Sequence, residues 1–275
     1  MATVAQRGMA SGPEPDYSVG TERAHALDRW IFFGMAAWFI ALVLAGFIPS
    51  SIEKIELVRT GQRPPFPLIL NMHAALMGSF LLLLLAQTWL MATGRRGYHM
   101  QLGLASFVLA PALVVVGFLV APAIYHELWN AYQAAPPEAR AKAEAAVLRS
   151  ENVKLIQIRA GLLFPLFLAI GLLARKRDPG LHKRMMILAT AVPLSAGIGR
   201  IPGIPTTMPA SPLSGDLYIL LAVLPMFLWD VVRNGRLHRA WWIWLGLFLP
   251  SSLVLNALWD TPWWHATARQ MMGVG

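Results

Sequence analysis

Cysteine is absent from the 275 residues, so disulfides, iron–sulfur clusters and thiolate-held metals are excluded. Any bound metal must rest on histidine, methionine or oxygen. Charge is scarce too. Charged residues make up 13% of the chain against 56% for the hydrophobic class, and the mean hydropathy is positive, which is not the composition of a soluble domain. Acids are rarer than bases, 14 against 23. The bases sit in short turns between apolar runs and form no continuous stripe, so the excess reads as the positive-inside bias of membrane loops and argues against a nucleic-acid partner. Also missing are a phosphate-binding glycine loop, a dinucleotide fingerprint, a serine elbow and a His-Glu-x-x-His helix; His126-Glu127 lacks the second histidine. Nucleotide and hydrolytic chemistry have no residues to stand on.

What is present is a series of apolar stretches of the length that a hydrocarbon layer about 30 Å thick demands of a helix. Seven spans are expected, at about Trp30 to Ile48, Pro67 to Met91, His99 to Ala121, Leu155 to Ala174, Met185 to Ile201, Leu217 to Val232 and Ala240 to Trp259. Backbone groups in lipid must be satisfied within their own segment, and these runs lack the alternation of barrel strands, so the fold class is an all-α membrane bundle. Residues 1–29 read as a disordered cytoplasmic tail, residues 30–265 as the membrane domain and 266–275 as a second tail. Pro136-Pro137-Glu138 opens an alanine-rich run that predicts a surface helix over about 136–149, outside the membrane. The tryptophans at 241, 242, 244, 259, 263 and 264 are placed as an interfacial belt. Arg95 and Arg96, then Arg175 to Arg184, then Arg233 to Arg239 mark three turns as cytoplasmic. That puts the amino terminus inside and the carboxyl terminus outside.

Two segments follow one template. Arg96-Gly97-Tyr98-His99 and Pro179-Gly180-Leu181-His182 each end a basic turn in Gly-x-His, open an apolar stretch and reach a proline about three helical turns later, at Pro111 and Pro193. The unit is a helical hairpin with a histidine at the mouth of its second helix. His99 and His182 therefore fall at one level, and two imidazoles on neighbouring helices are a means of holding haem iron when no thiolate is available. His73 lies at the opposite end of its span, about 25 residues from His99, and cannot share that site. Its own level holds Gln157, Arg159 and Arg200, an outer polar group able to bind an anion or a lipid phosphate through arginine forks. Asp230 is expected to pair with a basic residue of the neighbouring turns. His25, His238 and His265 carry weaker claims.

Through His73-Ala-Ala-Leu-Met, Gln87, Gly-Tyr-His99, Arg159, Leu-His182-Lys-Arg-Met-Met, Arg200 and the segment from Asp230 to His238, the chain resembles an uncharacterised family of bacterial multi-pass membrane proteins. More distantly, spans two to five look like the cytochrome b561-type four-helix core. That likeness implies haem b held by His99 and His182 as the inner pair. His73 would be half of an outer pair, with Gln157 and Arg159 where its imidazole partner should be.

Three readings remain open. The first is an electron carrier of the bacterial inner membrane with one bis-histidine haem near the cytoplasmic face, exchanging electrons with a quinol or a partner subunit. The second is a non-redox protein in which His73, Gln157, Arg159 and Arg200 bind an anionic lipid or small solute. The third is a structural subunit.

Overall fold

The computed structural model describes residues 26–274 and is an all-α bundle, with no strand among the described residues. Its helices are α1 (Ala26–Arg59), α2 (Leu68–Ala92), α3 (Arg96–Gly103), α4 (Ser106–Gln133), α5 (Pro137–Ala174), α6 (Pro179–Ala191), α7 (Ser195–Ile198), α8 (Leu213–Asn234), α9 (Arg239–Leu258) and α10 (Pro262–Met271). A single 3-10 turn, Val192–Leu194, joins α6 to α7.

Among the described residues, six helices are long and apolar enough to cross a membrane: α1, α2, α4, α5, α8 and α9. Their outward faces are bare hydrocarbon. Val108, Leu173, Val232 and Leu253 are 74%, 78%, 79% and 72% exposed, surface that only lipid would cover at no cost.

The expected fifth span is the exception. Proline tolerated within α1, α4, α5, α8 and α9 breaks the helix at Pro193, leaving a 13-residue α6, the 3-10 turn and a four-residue α7. The segment still traverses the bundle. Arg184 bonds Asp230 near the end of α8, while Ser195 lies against Gly215 near its start, so the broken helix runs antiparallel to nearly all of α8. It is buried along almost its whole length, which is why it need not be as apolar as a lipid-facing span. Where it meets α1 the backbones touch. A Cβ on Gly46 would come within 1.9 Å of the Gly197 carbonyl oxygen, so no larger residue fits there.

Several expected boundaries move. The surface helix and the fourth span are one rod, α5, because nothing between Leu148 and Leu155 stops a helix. Pro49 does not close the first helix. His99 stands on the separate α3, divided from α4 at Leu104 and Ala105. Of the two expected tails, residues 26–29 belong to α1, and residues 1–25, with His25, lie outside the described residues. Residues 266–271 belong to α10, which packs on α5.

The tryptophan belt needs correction as well. Trp241 and Trp244 are buried, donating to the Asp230 carboxylate at 2.7 Å and the Leu188 carbonyl at 2.9 Å. Trp259 and Trp264 donate to the Pro209 and Glu151 carbonyls. Only Trp242 and Trp263 of the six face outward, and each of the four buried indoles has an acceptor for its N–H, as burial requires.

Buried ion pairs fix the packing. Arg184 donates from Nε and Nη2 to both oxygens of Asp230, at 2.7 and 2.5 Å, and both side chains are almost wholly excluded from solvent. The expected pairing of Asp230 is thus met by Arg184. At the first turn of α1, Asp28 accepts from Arg233 and from the Trp229 indole. At the far end Glu151, 0% exposed, accepts from Tyr125 Oη at 2.9 Å, His265 Nδ1 at 2.6 Å and Arg269 Nε at 2.8 Å, which docks α10. Asn152 completes the joint. Its amide donates to the Asp260 carboxylate, and its carbonyl accepts the Asp260 backbone N–H, holding Asp260 at φ 60°.

Two outcomes follow from these pairs. Removing one partner of a buried pair strands the other, so Asp230→Ala should lower stability by about 3–5 kcal/mol. Adding Arg184→Met should recover most of that loss, both read by unfolding in detergent. Asp260 is held below the usual carboxylate range, chiefly by its bond to His265 and then by Asn152. A depressed carboxyl contributes stability above its unfolded pKa and loses it as pH falls through the folded value. Acidification below the ordinary carboxylate range should therefore speed amide exchange across 262–271, and Asp260→Asn should remove that part of the response.

Candidate functional site

The template is a structural duplication in detail. His99 is the fourth residue of α3 and His182 the fourth of α6. Each ring turns back to the helix before it. His99 Nδ1 lies 3.3 Å from the Gln87 carbonyl oxygen on α2, and His182 Nδ1 lies 2.9 Å from the Gly171 carbonyl oxygen on α5. A carbonyl only accepts, so each Nδ1 carries the proton and each Nε2 keeps its lone pair. No described residue bonds either Nε2. The two rings are 6.4 Å apart between centroids and inclined at 80°.

Local sequence explains the placement. Asp178 caps α6, accepting from the Leu181 N–H at 2.8 Å with Pro179 in the first turn, and it also pairs with Arg239. Gly171 lets α6 approach α5 closely enough for the His182 bond, since a Cβ there would come within 2.5 Å of Met186 Cε. Arg184, two residues past His182, locks the register of the same helix through Asp230.

The duplication runs the length of the core. His73, Phe80 and Gln87 on α2 correspond to Gln157, Phe164 and Gly171 on α5, each pair 84 positions apart and each step a heptad. Phe80 and Phe164 meet edge to face with centroids 5.2 Å apart, at the middle of this pseudo-symmetric interface. His73 and Gln157 are therefore equivalent positions at the end of the bundle away from His99 and His182. His73 lies beside Gly117 of α4, and its Nδ1 is buried without a partner, as is Gln157 Oε1.

The remaining outer candidates do not join them. Arg159 donates to Asp216 at 2.5 Å and to Ser252 Oγ at 3.0 Å, and its guanidinium lies 5.0 Å from the centre of the Phe248 ring. Positions 157 and 159 point about 200° apart on a helix, so Gln157 faces away from that cluster. Arg200 is exposed, bonded to the Ala196 carbonyl and stacked 4.8 Å over Phe47. Asp216, Ser252 and Glu151 were not legible as partners. Asp216 sits one residue before the apolar run of span six, and Glu151 falls in the short link expected between the surface helix and the fourth span.

A metal site can be tested on the histidine geometry. An imidazole nitrogen about 1.1 Å from its ring centre and a metal–nitrogen bond of about 2.0 Å would put two histidine rings that shared one metal about 6 Å apart. The observed spacing fits, and a carbonyl behind each Nδ1 is the support that ligating imidazoles ordinarily have. Comparison of the chain with protein-family models, with curated proteins and with solved structures finds no match.

Removing the cap should expose how the site is built. Asp178→Ala is expected to cost about 1 kcal/mol. The loss should be concentrated in the first turn of α6, where hydrogen exchange at Leu181 to Lys183 should rise while α8 is unchanged.

Proposed function

We propose that this membrane bundle is a b-type haem-binding electron carrier of the bacterial inner membrane, with one haem between His99 and His182 at the basic, cytoplasmic end. The observation that carries the reading is the ring pair itself: two imidazoles 6.4 Å apart, each with Nδ1 committed to a carbonyl and Nε2 left over. A haem bound there supplies a one-electron couple.

The chain's own residues set the terms of binding. The carbonyls of Gln87 and Gly171 fix the tautomer and make each free nitrogen more basic. The cap at Asp178 and the Arg184–Asp230 pair hold the ring of His182 in place. The basic turns around the site favour gain of an electron over loss, which suits a carrier accepting from a quinol or a partner subunit. The lipid- or solute-binding reading needs Arg159 and Arg200 together with His73 and Gln157, whereas Arg159 already has Asp216 as its counter-charge and Arg200 turns to the Ala196 carbonyl and the Phe47 ring. The histidine pair is the better supported centre.

The test is the visible spectrum of protein purified in detergent from haem-supplied cells. A sharp reduced band is expected, lost in His99→Ala and in His182→Ala and retained in His73→Ala. A folded but colourless wild-type protein would sink the proposal and leave a structural bundle.

A further inference from the structure

The Arg184–Asp230 and Arg159–Asp216 pairs are both buried, and they are not built alike. Arg184 closes on Asp230 as a fork, Nε to Oδ2 and Nη2 to Oδ1, and the Trp241 indole adds a third bond to that carboxylate. Arg159 meets Asp216 through one tooth only, Nη2 to Oδ1 at 2.5 Å. Its Nε–H and the second oxygen of Asp216, Oδ2, are buried and have no partner among the described residues. The two side chains are only 4% and 7% exposed, so bulk solvent does not satisfy these atoms. A third orphan stands on α7. Ser195 Oγ is also buried without a partner, and Ser195 lies against Gly215, the residue before Asp216.

A donor and an acceptor left open on one ion pair define what fits between them. The guest must accept from Nε–H and donate to Oδ2, which is the double role of a hydroxyl. A free anion is repelled by the carboxylate, and a metal cation by the guanidinium. The Phe248 ring packs on the pair, its centre 5.0 Å from the guanidinium, so the guest is small.

Polar groups mark a way in. From Ser252, which accepts from Arg159 Nη1, the Asn256 carboxamide leads to Ser211 and then to the exposed Thr207, through bonds of 2.9, 3.4 and 2.8 Å. This route lies at the end of the bundle away from the histidines. Toward the histidine end Trp244 and Phe248, both 0% exposed, stack at 4.6 Å and close the core.

We infer that a water molecule bridges Arg159 Nε and Asp216 Oδ2 and exchanges with solvent along the Asn256 route. A buried water makes about three hydrogen bonds; the ion pair supplies two, and Ser195, across from Gly215, the third. A carboxylate inside the apolar band is thereby in proton exchange with solvent from one side, which gives the bundle a one-sided proton port. The inference does not depend on haem.

The experiment uses the full chain in nanodiscs with isotope-labelled arginine, and the probe is water itself. A rotating-frame Overhauser cross-peak is recorded from water to each arginine Nε–H, with the Arg159 signal identified by its loss in Arg159→Lys. Arg159 is expected to show the cross-peak, and Arg184, whose Nε–H is held by Asp230, to lack it. Asp216→Glu adds the reach that closes the fork, so the Arg159 signal should remain and its cross-peak be lost. Asn256→Leu blocks the polar route, and exchange of the Arg159 Nε–H with bulk water should fall to the level of Arg184. Where either variant does not fold, the wild-type contrast between the two arginines decides. The inference is overturned by folded wild-type protein in which Arg159 shows no cross-peak, or one of exchange sign only. A cross-peak that survives Asp216→Glu, or exchange unchanged in Asn256→Leu, overturns it equally.

Discussion

A charge inside a lipid-facing bundle has to bring its counter-charge with it, and here that requirement sets the geometry. Arg184 and Asp230 tie α6 to α8, with the Trp241 indole closing the pair from α9. Arg159 and Asp216 tie α5 to α8, and Ser252 adds α9. Each pair permits one axial register, since a slip of one residue would turn a charge toward hydrocarbon. His182 inherits that register because it stands two residues before Arg184.

The duplicated hairpin works within this frame. Its symmetry is kept where the histidine rings need support and is relaxed elsewhere. The carbonyls of Gln87 and Gly171 and the contact of Phe80 with Phe164 preserve it, and His73 opposite Gln157 departs from it. At the histidine end the departure is Arg95 against Asp178. One hairpin carries its own anion at the mouth of the histidine helix, and the other does not.

Much of this was legible in the residues. Hydropathy marks the passes through the bundle, and the Gly-x-His template points to two rings at one level, where they stand. The pairing of Asp230 with a basic turn was also readable. What escaped lies in the third dimension. Asp216 and Glu151 sit at the water-facing edges of apolar runs, where an acid looks solvated until the facing helix is known. The periodicity of α6 does not announce that Pro193 breaks it, since five other helices pass through prolines intact. Trp241 and Trp244 have the composition of an interface and the surroundings of a core, and only their acceptors, Asp230 and the Leu188 carbonyl, tell the two apart.

One further property comes from the length of α5. Its 38 residues measure about 57 Å at 1.5 Å per residue, against about 30 Å of hydrocarbon. α1 and α4 overshoot toward the same end, and Arg63 reaches Glu127 there. The protein thus carries a helical collar beyond one face of its apolar band, made of the same rods that form the band. α5 runs as one helix from that collar, past Pro165, to Gly171, whose carbonyl accepts from the His182 ring.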